Sequence, residues 1–131
     1  MVRYGRLGTG LLLLFWLFMK PGVGMTSEPT PDVEVFVRTG CPHCEAAKVF
    51  LEQLRRAHPD LRILFHDIAL DRDALARLHS LAQAQALPVV GVPAFYLNGE
   101  LIVGYQDDQT TGARLLGMLN RPPGMPAVEP F

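Results

Sequence analysis

Cysteine is scarce in this sequence. Cys41 and Cys44 are the only two among 131 residues, too few for a scaffold held together by disulfides. The fold is therefore expected to rest on its own apolar core, which a single domain of about 100 residues can supply. A basic stripe is missing too. Residues 25–131 carry 9 basic and 13 acidic side chains, a net of −4, so nucleic acid is not an expected partner. No internal repeat is visible. Acidic residues are absent from the first 27 positions, where Arg3, Arg6 and Lys20 flank the apolar run Leu11–Met19.

A basic segment followed by a short apolar run is the pattern of a secretory signal. The run falls short of the ~20 residues that a membrane span needs. Gly22-Val23-Gly24 offers small residues at a cleavage site, and the close flanking by Gly8, Gly10 and Pro21 argues against a core helix. No cysteine follows the run, so a bacterial lipoprotein anchor is not expected. Seven of the 11 prolines lie within 21–31 and 122–130. The expected organisation is a signal peptide or signal-anchor at 1–24, a linker at 25–31, a folded domain at 32–120 and a Pro-rich tail at 121–131. The domain is expected to be exported, periplasmic or otherwise extracytoplasmic. An uncleaved signal would anchor it through residues 7–25.

Within the domain the hydrophobic period alternates. Val33–Val37 is rich in β-branched residues and predicts a strand. From Pro42 to His58, Ala46, Ala47, Val49, Phe50, Leu51 and Leu54 predict the inner face of a helix, with Pro42 suited to its first turn. Leu61–Ile68 predicts a second strand. Asp71 is a fair N-cap for a second helix marked by Leu75, Leu78, Leu81 and Ala82. Ala94–Leu97 and Glu100–Val103 flank Asn98-Gly99, a strong hairpin signal. Gln106–Leu119 predicts a last helix with Leu115, Leu116 and Leu119 inward. The order βαβαββα implies an α/β fold, a four-stranded mixed sheet with helices on both faces.

The chemistry lies in Cys41-Pro42-His43-Cys44. Cys41 stands at a strand-to-helix junction, where free N–H groups and the helix dipole favour a thiolate. Cys44 follows one helical turn later, within reach of the first sulfur and more covered. Cys41 is then the candidate nucleophile and Cys44 the resolving thiol, and His43 between them is a candidate tuner of the thiolate. Two other uses compete. An inert staple would close too short a loop to stabilise much. A metal site would need more ligands, and His58, His66 and His79 form no cluster with ligand spacing, which leaves a Cu(I) site on the two sulfurs. Further on, Pro93 stands just before a strand, where it cannot donate to the ladder. Proline statistics alone put a cis Val92–Pro93 bond at about 5%.

Taken together, the element order, Cys41-Pro-His-Cys44 at the first strand-to-helix junction and Gly91-Val-Pro-Ala94 before the third strand resemble the thioredoxin fold over about residues 33–119. The resemblance implies a thiol–disulfide oxidoreductase with a cis Val92–Pro93 bond beside Cys41. It also implies that the Val92 backbone pairs with an extended substrate peptide. Both motifs are similar to DsbA-type oxidants, but only 48 residues separate Cys44 from Pro93, with no room for an inserted helical domain. The compact size, Thr39-Gly-Cys-Pro42 and Asn98–Asp108 resemble glutaredoxins. That family commonly has Gly-Gly before an acidic pair that contacts glutathione, and here Tyr105 replaces the second glycine, which argues against tight glutathione binding. Val35 stands where thioredoxins bury an aspartate, and no Trp precedes the motif. The expectation is a monomer that exchanges a Cys41–Cys44 disulfide with protein thiols and disulfides and needs no bound cofactor. An electron-relay module for a dedicated membrane redox partner and a Cu(I)-binding protein are the competing expectations.

Overall fold

A computed structural model of the chain describes residues 30–121. The expected signal segment, most of the linker and the Pro-rich tail after Arg121 lie outside the described residues. Four strands, β1 (Val33–Val37), β2 (Ile63–Asp67), β3 (Ala94–Leu97) and β4 (Glu100–Val103), alternate with α1 (Pro42–Ala57), α2 (Arg72–Ala84) and α3 (Ala113–Leu119). The sheet order is β2-β1-β3-β4. β1 and β2 run parallel, with Val35 opposite Phe65, whereas β3 is antiparallel to both β1 and β4. Among the described residues no helix is long and apolar enough to cross a membrane.

The period-2 alternation of β1 divides the core. Val33, Val35 and Val37 join Cys44, Ala47, Leu51, Leu115 and Met118 on one face, under α1 and α3. Phe36 turns to the other face and packs with Ala74, Leu78 and Ala82 of α2. The expected helices on both faces of a mixed sheet are therefore present. β1 is buried at every position but Glu34, while β2, at the edge, leaves Leu64 and Phe65 exposed.

Local signals set the boundaries. Asp71 caps α2 by accepting from the N–H groups of Asp73 and Ala74, a contact worth about 1 kcal/mol. His58 closes α1, its N–H donating to the Leu54 carbonyl at 2.9 Å, and Pro59 follows. Asn98 and Gly99 both have positive φ, 49° and 83°, the geometry of a type I′ hairpin turn. The Asn98 amide also donates to the Met118 carbonyl at 2.6 Å, tying the hairpin to the end of α3.

Several expectations are corrected. Ala46 and Val49 face solvent, Val49 being 60% exposed. The inner face of α1 runs Cys44, Ala47, Phe50, Leu51 and Leu54, and positions 46 and 49 fall outside that arc at 100° per residue. In α2, Ala74 takes an interior place, and Leu75 and Leu81 are only half-buried. β2 begins at Ile63 because Arg62 is held outside it by an ion pair with Asp32. The last helix does not start at Gln106. It opens with a π-helical turn, Asp108–Gly112, in which the Gly112 N–H reaches the Asp107 carbonyl at 3.0 Å. Met118 joins Leu115 as a fully buried residue of this helix, while Leu116 and Leu119 are half-buried against the same cluster.

The wide turn sets Gly112 against a core ring. A Cβ added there would lie 2.8 Å from Phe50 Cε2. Gly112→Ala is therefore expected to lose about 1–3 kcal/mol by overpacking. Gly117, inside α3 with nothing within 4 Å of an added Cβ, is the control: Gly117→Ala should gain about 0.5–1 kcal/mol from helix propensity. Urea unfolding of both variants measures the difference, and equal effects would contradict the packing argument.

Candidate active site

β1 ends at Val37, and Arg38-Thr39-Gly40 turns the chain into α1. The turn needs Gly40, whose φ of +80° is the left-handed conformation that suits glycine. Cys41 is the N-cap residue of α1, with an extended backbone, and Pro42 occupies the first turn, where it lacks no useful donor. The Cys41 sulfur accepts the Cys44 N–H at 3.4 Å, the role a Ser or Asp oxygen ordinarily plays. Three residues on, Cys44 points inward and is fully buried. Beneath it the sheet is apolar, Val35 being fully buried in the same cluster. Cys41 stays half-exposed.

The two sulfurs are electrostatically unlike. The Cys44 thiol donates to the Cys41 sulfur and pulls the Cys41 thiol pKa down. Desolvation opposes this as the second-largest influence, and the N–H groups of Cys44 and His43 and the charge of Arg38 add to the lowering. Burial pushes Cys44 up to about 11, and its bond to Cys41 reinforces the shift. One thiol is thus poised as a thiolate while the other keeps its proton.

The second segment meets the first through the core. The Val92–Pro93 peptide is cis, Pro93 is fully buried, and its carbonyl accepts the Gly104 N–H at 2.7 Å. Val92 is half-buried and packs against the same apolar cluster as Cys41. Among the hydrogen bonds of the described residues, none uses the Val92 backbone.

Cys41, Pro42, His43 and Cys44 thus lie together at the start of α1, with Val92 and Pro93 on the cluster beneath. His43 sits there differently than expected. Its backbone N–H supports Cys41, while its exposed imidazole lines a groove of ≈ 560 Å³ with Gly104, Gln106, Thr111 and Arg114. Tyr105, which stands in place of the second glycine, is buried. Its ring lies in the core against Phe50 and Phe95, 5.9 and 6.2 Å between centroids. Its hydroxyl donates to Asp108, and Asp107 accepts from Thr110. Both acids of the pair are therefore engaged within the chain. Sequence reasoning did not find Arg38, Thr39 or Asp67. Asp67, at the end of β2, accepts from Thr39 across 28 residues of sequence, and no local spacing announces it. Among the described residues no group of three or more His, Cys, Asp or Glu side chains could hold a metal ion.

A family model described as Glutaredoxin matches residues 33–102, more than half of the chain. The chain belongs to the glutaredoxin family. It is accordingly a thiol–disulfide oxidoreductase of thioredoxin-like α/β fold. Glutaredoxin 1 of Escherichia coli (strain K12) is 32% identical over 73 residues, covering 56% of this chain and 82% of that relative. Glutaredoxin 1 of Shigella flexneri gives the same figures. A solved glutaredoxin from Archaeoglobus fulgidus superposes with a TM-score of 0.51 at 14% identity, over 70% of this chain and 89% of that one, a likeness of fold. A buckwheat glutaredoxin–glutathione complex is 24% identical, with a TM-score of 0.46 over 67% of this chain and 72% of its own.

In this glutaredoxin the pKa asymmetry has a definite pH signature. Iodoacetamide should find one fast thiol, Cys41, with an inflection below the free-thiol value of about 8.5, and a second that stays silent until the chain unfolds. Because the folded pKa of Cys41 is depressed, its contribution to reduced-state stability is complete above the unfolded pKa. It is lost as pH falls through the folded value. Unfolding of the reduced protein against Cys41→Ser, from about pH 5 to about pH 9, reads that slope. Parallel pH curves for the two proteins would refute the assignment.

Proposed function

We propose that this glutaredoxin acts as an exported dithiol catalyst that exchanges disulfides with protein thiols, with Cys41 as nucleophile and Cys44 as resolving thiol. The observation that carries the reading is the pairing of a half-exposed, acidified Cys41 with a fully buried Cys44 that keeps its proton. The Cys41 thiolate attacks one sulfur of a substrate disulfide. An S–S bond forms to Cys41, and the other substrate sulfur leaves as a thiolate. Cys41 then carries no charge, which removes the repulsion that helped keep Cys44 protonated. Cys44 gives up its proton and attacks the Cys41 sulfur, forming the Cys41–Cys44 disulfide and releasing the second substrate thiolate. The substrate is reduced by two electrons and the enzyme oxidised by two; the reverse sequence oxidises a dithiol.

The free Val92 backbone beside the fixed Pro93 supports docking of an extended peptide at Cys41. Protein thiols suit this site better than glutathione, because Asp107 and Asp108 already hold partners within the chain. Export is supported by the basic-then-apolar segment at 1–24 and by a use for disulfide chemistry where disulfides persist.

Cys41→Ser is expected to abolish insulin reduction and refolding of a reduced client. Cys44→Ala should retain the first attack and accumulate mixed disulfides. One dominant adduct would mean a dedicated redox partner; many adducts would mean a general catalyst. Full exchange activity in Cys41→Ser would sink the proposal. Export is checked by fractionation and N-terminal sequencing, with a mature end near residue 25 expected.

A further inference from the structure

The turn that presents Cys41 has little packing of its own. Arg38, Thr39 and Gly40 are all exposed, and no atom lies within 4 Å of where a Gly40 Cβ would be. The bond from the Cys41 N–H to the Arg38 carbonyl, 3.2 Å, closes the turn on itself without anchoring it. What ties the turn to the neighbouring strand is Thr39. Its backbone N–H donates to Asp67 Oδ2 at 3.1 Å, and its hydroxyl donates to the same oxygen. The other carboxylate oxygen of Asp67 accepts the Ala69 N–H at 2.9 Å. The Asp67 carbonyl takes the N–H groups of Leu70 and Asp71, so this side chain is itself held at the entry to α2.

We propose that Asp67 is a positioning residue for the exchange reaction. By accepting both Thr39 donors it fixes the Arg38–Gly40 turn, so that the Cys41 sulfur stays at the helix terminus over the Cys44 N–H. The inference rests on Cys41 being the nucleophile. Asp67 acts through Thr39 and not on the sulfur.

The charges around the pair make the sign of its effect decisive. Arg38 from the β1 turn, and His43 and Cys44 from α1, surround the Cys41 sulfur. Lys48, paired with Glu45 on α1, faces both Cys44 and Asp67. A carboxylate near a thiolate disfavours it by Coulomb repulsion. Removing Asp67 through charge alone would therefore make Cys41 more acidic. Releasing the turn has the opposite effect, because the sulfur then leaves its donors.

The test is the pH profile of Cys41 alkylation in the full chain, with urea unfolding in parallel. Asp67→Ala and Thr39→Val are each expected to raise the inflection by about half a unit, roughly a threefold loss of rate below it. Thr39→Ser, which keeps the hydroxyl, should match the wild type. The double variant should shift no further than Asp67→Ala alone, because that change already removes both bonds from Thr39. An unmoved or lowered inflection in Asp67→Ala overturns the proposal, as does a loss of stability without any shift. Fully additive shifts overturn it too. If Cys41→Ser kept its activity, the nucleophile assignment would fall first. If Cys41 is essential and the inflection does not move, the inference about Asp67 falls alone.

Discussion

A sulfur caps the first helix. Cys41 Sγ accepts the N–H of Cys44, and most of the site follows from that bond. A cap must precede the first helical turn, so the sulfur lies where unpaired backbone donors converge. The residue whose N–H it accepts is three positions on and lies on the core-facing side of the helix. The second cysteine is therefore placed in the core by the same geometry that keeps the first one out of it. The layer beneath has to tolerate a neutral thiol, and Val35 provides an apolar floor.

The sheet supports this arrangement by burying every residue of β1 but Glu34. β1 is flanked by β2 and β3 and covered by helices on both faces, so its end is held from all sides. The turn after it can be short and exposed. On the α2 face, Glu34 of β1 holds a two-pronged contact with Arg77, and His66 stacks on Phe36 at 5.1 Å. Polar groups there are arranged around the strand without breaking its apolar faces. A polar group buried on the other face, near Cys44, would itself need a hydrogen-bond partner.

What could be read from the sequence was what is local. The alternation of Val33, Val35 and Val37, the cap at Asp71 and the Asn98-Gly99 turn each depend on neighbours a few positions away, and each stands where it was expected. So do Cys41 and Cys44, because their placement follows from one helical turn. The π-helical turn was not legible. It sets Gly112 against Phe50, some sixty residues earlier, with no room for a Cβ, and no period in Gln106–Leu119 encodes that. Asp67 was missed for the same reason: its meaning lies in a partner on another element. Val49 was misplaced because an apolar residue next to an inward pair resembles a core position until the arc is counted.

The burial of Cys44 has a kinetic consequence. When the two cysteines are joined, an outside thiol can approach one of the two sulfurs only, because Cys44 has no exposed surface. The bond then has one accessible electrophilic end. An outside thiol that opens it forms its adduct at position 41, and closing is first-order in protein. Ambient thiol competes with that closure and takes no part in it.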